Sequence, residues 1–150
     1  MKTILATLLC LALLTGAQAQ RVAFWNVENL FDTQADSTIN DAEYTPGGSK
    51  NWTPKRYQAK LDQLYKTIAA MDFPIVMGLA EVENDKVLRD LCQHTPLFSM
   101  HYQYCHFDSP DPRGIDCALI YRKDHFTLLE QSPIRVSDST KHLYTRDILK

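Results

Sequence analysis

Between Thr53 and Met71 the apolar residues Tyr57, Leu61, Leu64, Ile68 and Met71 recur at steps of four, three, four and three. That spacing is one face of an amphipathic helix. Its start is marked by the Thr53 hydroxyl as a cap and Pro54 at the first helical position. Its end must precede Pro74, so the expected helix covers 54–72. Lys55, Lys60 and Lys66 lie on its polar side, most simply a solvated face. Residues 22–27, β-branched and aromatic, read as a strand before it, and the nearly unbroken apolar run 75–80 reads as a strand covered on both faces. If these two strands are parallel neighbours joined by the helix, their carboxyl ends lie at the same edge of one sheet.

The rest of the chain is arranged around this unit. Residues 33–50 are polar and contain Pro46-Gly47-Gly48, so they form a loop. Asn84 can cap a short second helix with Val87, Leu88, Leu91 and Cys92 on its apolar side. After Pro96 the pattern turns to strands, at 101–107, 116–122, 126–129, 134–136 and 143–149. The first two are joined by the turn-rich segment 108–114. Helices early and strands late give an α/β class with α+β character. A length of 150 residues allows one domain. A net charge of −2 excludes nucleic-acid binding by bulk basicity, leaving only local contacts.

Residues 1–19 are of a different kind. Lys2 gives a short positive start, residues 4–14 are apolar apart from Thr7, and Ala17-Gln18-Ala19 is a small-x-small cleavage site. This is the pattern of a secretory signal peptide cut between Ala19 and Gln20. It is too short for a membrane span, which needs about 20 apolar residues. The mature chain, from residue 20, is therefore expected to be secreted or periplasmic with no stable membrane span. Cys92, Cys105 and Cys117 remain after cleavage, in apolar-periodic segments where a buried structural cysteine is the commoner outcome. An odd number leaves at least one thiol outside any intrachain disulfide.

At the shared strand edge stand Asn26, at the end of the first strand, and Glu81, just past the second. An unpaired amide or carboxylate is costly to bury within apolar strands, and open sheets carry ligands at this edge. An amide oxygen converging with a carboxylate makes a hard-oxygen site suited to Mg²⁺, Mn²⁺ or Ca²⁺. Equally, Asn26 can cap a turn and Glu81 can pair with a lysine, and spacing alone slightly favours that plainer reading.

Four segments carry a resemblance. Phe24-Trp25-Asn26-Val27-Glu28-Asn29-Leu30-Phe31-Asp32, Gly78-Leu79-Ala80-Glu81-Val82-Glu83-Asn84, Arg113-Gly114-Ile115-Asp116-Cys117-Ala118-Leu119-Ile120-Tyr121-Arg122 and Thr145-Arg146-Asp147-Ile148-Leu149 follow one another in order. Together they resemble the endonuclease/exonuclease/phosphatase family, with its deoxyribonuclease I-like fold. The resemblance implies the amino-terminal half of a four-layer α/β/β/α sandwich, residues 20–150 forming a truncated domain. It also implies a catalytic divalent cation, Mg²⁺ first and Mn²⁺ or Ca²⁺ next, held by Glu81 as direct ligand together with Asn26. By the same resemblance Arg113 and Arg146 face a substrate phosphate, for which arginine is the natural bidentate partner. Asp116 falls near a position where an acidic residue orients a catalytic histidine. Read alone, Arg113 is a solvated loop charge and Arg146 an edge-strand charge. Glu28, Asn29, Asp32 and Glu83 surround the same edge, and Trp52 and Tyr57 read as packing residues.

The chemistry implied is hydrolysis of phosphate esters, with nucleic acid as the first substrate class. A phosphatase or phospholipase-like activity, and a non-catalytic exported binding module, are the alternatives. The family completes its site with motifs resembling Gly-Asp-x-Asn and Ser-Asp-His, and neither occurs in this sequence. The five histidines, His94, His101, His106, His125 and His142, match none of those positions, and most are expected on surfaces or hairpins. The chain is thus expected to lack the carboxy-terminal half of the domain and to be inactive alone.

Overall fold

The computed structural model of the protein describes residues 20–138, 140 and 143–150; the leader expected at 1–19 and His142 lie outside them. β1 (Val22–Leu30) leads through a polar loop, with one 3-10 turn at Ala42–Tyr44, into α1 (Pro54–Ala70). β2 (Val76–Val82), α2 (Asp85–Gln93), β3 (Tyr102–His106) and β4 (Asp116–Arg122) follow. The strands form one mixed sheet in the order β1-β2-β4-β3, with β1 and β2 parallel and the other neighbours antiparallel. This sheet with its two helices is α+β in character, as expected for the amino-terminal part of a deoxyribonuclease I-like fold.

The strand–helix–strand unit is formed as the sequence indicated. The Thr53 side chain accepts from the Arg56 N–H, and Tyr57, Leu61, Leu64 and Ile68 are buried. They meet Val27, Leu30, Met77, Leu79, Val82, Ala118 and Ile120 of the sheet and Val87, Leu88, Leu91 and Cys92 of α2 in one core. Each such aliphatic side chain contributes about 1.5–3 kcal/mol by leaving water. Tyr57 adds a polar tie, its hydroxyl donating to Asp90 Oδ2 at 2.8 Å. The Trp52 indole N–H donates to the Phe31 carbonyl at 2.9 Å, so both aromatics are packing residues. At the start of α2, Asn84 Oδ1 accepts from the Val87 N–H at 3.1 Å. Asn84→Ala removes that cap, and we expect a loss of about 1 kcal/mol. A lower urea midpoint with an unchanged slope would register it.

The second face of the sheet differs from expectation. The apolar run 75–80 predicts cover on both faces, but helices cover only one. On the other face Phe24 is 72% exposed. The segment beyond β4 crosses this face and leaves a groove of about 800 Å³ lined by Phe24, Asn26, Ala80, Cys117, Leu119 and Ile148. Residues 126–129 form no strand, because they lie over Val76, Leu119 and Tyr121 rather than beside a free strand edge. Expected strands 134–136 and 143–149 shrink to two-residue pairings: β5 (Pro133–Ile134) with β8 (Ile148–Leu149), and β6 (Ser137–Asp138) with β7 (Leu143–Tyr144). Residues 96–100 form a 3-10 turn. Cys92 and Cys105 are buried, Cys117 is half-buried, and all three are free thiols. No helix among the described residues is long and apolar enough to cross a membrane.

Candidate active site

Both parallel strands break register at the same edge. β1 pairs Asn26 with Ala80, then shifts before Leu30; β2 shifts against β4 between Ala80 and Val82. The displaced residues adopt left-handed backbone, Glu28 at φ 55°, Asn29 at φ 60° and Glu81 at φ 66°. Each such non-glycine conformation costs on the order of 1–3 kcal/mol, and clusters of them are characteristic of functional sites. The bulges re-aim two side chains across the strand pair. Asn26 Nδ2 donates to Glu81 Oε1 at 2.9 Å, while Asn26 Oδ1 accepts from the Glu28 N–H at 2.8 Å. Asn26 thus does cap a turn, but Glu81's partner is Asn26 and not a lysine.

The residues around this pair are fixed from beneath. The buried carboxyl of Glu83 accepts from the Asp32 N–H at 2.6 Å, tying the loop after β1 to the end of β2. Burial, with the nearby charges of Asp32 and Asp41, pushes the Glu83 carboxyl up to about 8. Tyr44 stacks on Phe31 with ring centroids 4.1 Å apart, and its hydroxyl titrates above the usual range through burial and the charges of Glu43 and Glu81. Lys60, assigned to the solvated face of α1, is instead half-buried and donates to the Glu28 carbonyl at 3.3 Å. Only its place beside Leu61, at the border of the apolar stripe, hinted at this in the sequence.

Arg113 sits on the loop before β4, where Gly114 turns the chain with φ 65°. Its guanidinium is held by the buried Asp111, Nε to Oδ1 at 2.9 Å and Nη2 to Oδ2 at 2.6 Å. Asp111 therefore stays below the usual carboxylate range. With those two nitrogens engaged, the remainder of the guanidinium faces solvent, and Arg113 lies near enough to feel the Glu81 charge. Arg146 lines the same groove as Asn26, and its charge helps to hold the Asp111 carboxyl low. Arg113 occupies the loop expected of it, whereas Arg146, expected on a strand, lies in the irregular segment between residues 144 and 148 because the expected strand 143–149 is broken there.

Asp116 orients a histidine, though not one the sequence had singled out. Its Oδ2 contacts His106 Nε2 at 3.2 Å and its Oδ1 accepts from the Ser109 N–H at 2.9 Å. Both side chains are 4% exposed, so His106, at the end of the β3 arm of the β3–β4 hairpin, is a buried histidine. The reason is register: His106 pairs with Ala118, on the sheet face that packs the helices. His106, Asp108 and Asp116 bring ligand-type atoms within 4.8 Å of one another. Asp116 lines a different cavity from Asn26.

Chemically, Glu81 offers a carboxylate at an exposed strand edge, while Asn26 turns its amide nitrogen to Glu81 and its oxygen to the Glu28 N–H. A carbonyl oxygen has two lone pairs, so Asn26 Oδ1 can hold the Glu28 N–H and still face a cation. The donor set fits a hard divalent ion. Two guanidinium groups beside it fit an anionic ester. No curated protein matches the chain. A model described as the endonuclease/exonuclease/phosphatase family matches residues 21–150. With the mixed sheet in place and the match running from the start of β1 through β8, the chain belongs to the endonuclease/exonuclease/phosphatase family.

Proposed function

We propose that this chain carries the cation-holding and phosphate-holding half-site of an exported, divalent-metal-dependent phosphoesterase, with an endonuclease acting on phosphodiester bonds as the leading activity. The contact between Asn26 and Glu81 at 2.9 Å carries the proposal. Glu81 and Asn26 would hold Mg²⁺, or Mn²⁺ or Ca²⁺ in its place, and the bound ion would polarise a phosphoryl oxygen and offset its developing charge. Arg113 and Arg146 would orient the phosphate by charge-assisted hydrogen bonds. Lys60 and Asp111 keep the carboxylate edge and one guanidinium in place before substrate arrives.

Residues 1–19 serve in this reading as the export signal. Activity would further need the carboxylates and histidine of the Gly-Asp-x-Asn and Ser-Asp-His type that this sequence lacks. The 150-residue chain alone is therefore proposed to be inactive. The test is to read the source DNA past codon 150, express the extended product, and assay nicking of supercoiled plasmid with Mg²⁺. An extended chain that nicks, and is silenced by chelator, supports the reading. Robust Mg²⁺-dependent hydrolysis by residues 1–150 alone would refute the half-site claim, and an inactive extended chain would remove the enzyme.

A further inference from the structure

We propose that Lys60 is a positioning residue for Glu81, acting through three consecutive hydrogen bonds that start on α1 and end on the carboxylate. Lys60 Nζ donates to the Glu28 carbonyl at 3.3 Å, the Glu28 N–H donates to Asn26 Oδ1 at 2.8 Å, and Asn26 Nδ2 donates to Glu81 Oε1 at 2.9 Å. The middle link runs through the left-handed Glu28–Asn29 turn. Such a turn persists only when its surroundings hold it. Lys60 reaches it from a different element, helix α1. α1 is anchored by its buried face, so the ammonium is delivered from a rigid platform.

The charge acts in the same direction. Lys60 is half-buried, and burial pulls its ammonium down while Glu28 and Glu81 pull it back up. Its ammonium thus lies within electrostatic reach of both carboxylates. The inference rests on the proposed role of Glu81, since a positioned carboxylate matters to function only if it holds the ion. The contacts exist without metal, however, so they can be tested separately from it.

The experiment is NMR on the ¹⁵N-labelled full chain in chelator, following the Asn26 side-chain amide and hydrogen exchange at the Glu28 N–H. Lys60→Met is expected to move the Asn26 amide signal and to speed Glu28 exchange about fivefold, the scale of one lost hydrogen bond. Lys60→Arg, which keeps donor and charge, is expected to restore both. Lys66→Met, an exposed change on the same helix, is expected to leave both alone. Lys60→Gln, milder than methionine, gives the same comparison should Lys60→Met unfold. Unchanged signals in the methionine and glutamine variants, no rescue by arginine, or an equal effect from Lys66→Met would overturn the proposal. Absence of Mn²⁺ binding in the unmodified chain would instead overturn the cation role of Glu81 and leave the Lys60 contacts standing.

Discussion

Glu81→Gln is expected to weaken Mn²⁺ binding on the order of a hundredfold, the scale over which carboxylate charge tunes oxygen-ligand sites. Glutamine keeps an oxygen able to accept from Asn26 Nδ2, so the contact at 2.9 Å and the bulge survive. What is removed is the negative charge beside the solvent-facing edge. Asn26→Ala should cost less, since it removes a neutral ligand and the orientation of Glu81 but leaves the carboxylate. Electron paramagnetic resonance of free Mn²⁺ during titration measures both, with a thermal scan in chelator confirming that the variants are folded. Affinity unchanged by Glu81→Gln but lost in His106→Ala would move the ion to the His106, Asp108 and Asp116 group. It would sink the role assigned to Glu81.

Glu83 should make the fold less stable as pH rises. Its carboxyl is pushed up to about 8, chiefly by burial and then by the charges of Asp32 and Asp41, against 4.5 for the ordinary group. The folded state therefore retains a proton that the unfolded chain releases. Stability is full with respect to this group below pH 4.5, falls between roughly pH 4.5 and 8, and is level above. At about 1.4 kcal/mol per pKa unit the ceiling is a few kcal/mol. Glu83→Gln keeps an oxygen for the Asp32 N–H and cannot ionise. Its Tm relative to the parent should accordingly climb from pH 4 to pH 9 when measured in chelator. A difference that stays flat across that range, or declines, contradicts a proton held on Glu83.

The sequence and the folded chain each account for a definite part of this protein. Helix α1, with its Thr53 cap and buried Tyr57–Ile68 face, and helix α2, with its Asn84 cap, were legible because capping and 3.6-residue periodicity are local properties. The meeting of Asn26 with Glu81 was legible too, because a right-handed crossover leaves two parallel strands ending together. Strand 126–129 failed because an apolar run carries no record of whether a partner edge is available to it. Phe24 and Phe126 can each be read as strand residues, yet the first pairs with a neighbouring strand while the Phe126 N–H donates to the Arg122 carbonyl in a turn.

Residue type and order thus determined the two helices, the parallel strand pair that sets Asn26 and Glu81 at one sheet edge, and the family resemblance. Tertiary structure alone decided three further points: that both strands bulge at the same edge, that Lys60 turns inward to the Glu28 carbonyl, and that Asp116 meets His106 behind the sheet. Each of these depends on register between segments far apart in the chain. A one-residue slip would send the same side chains to the opposite face, so no local pattern could have specified them.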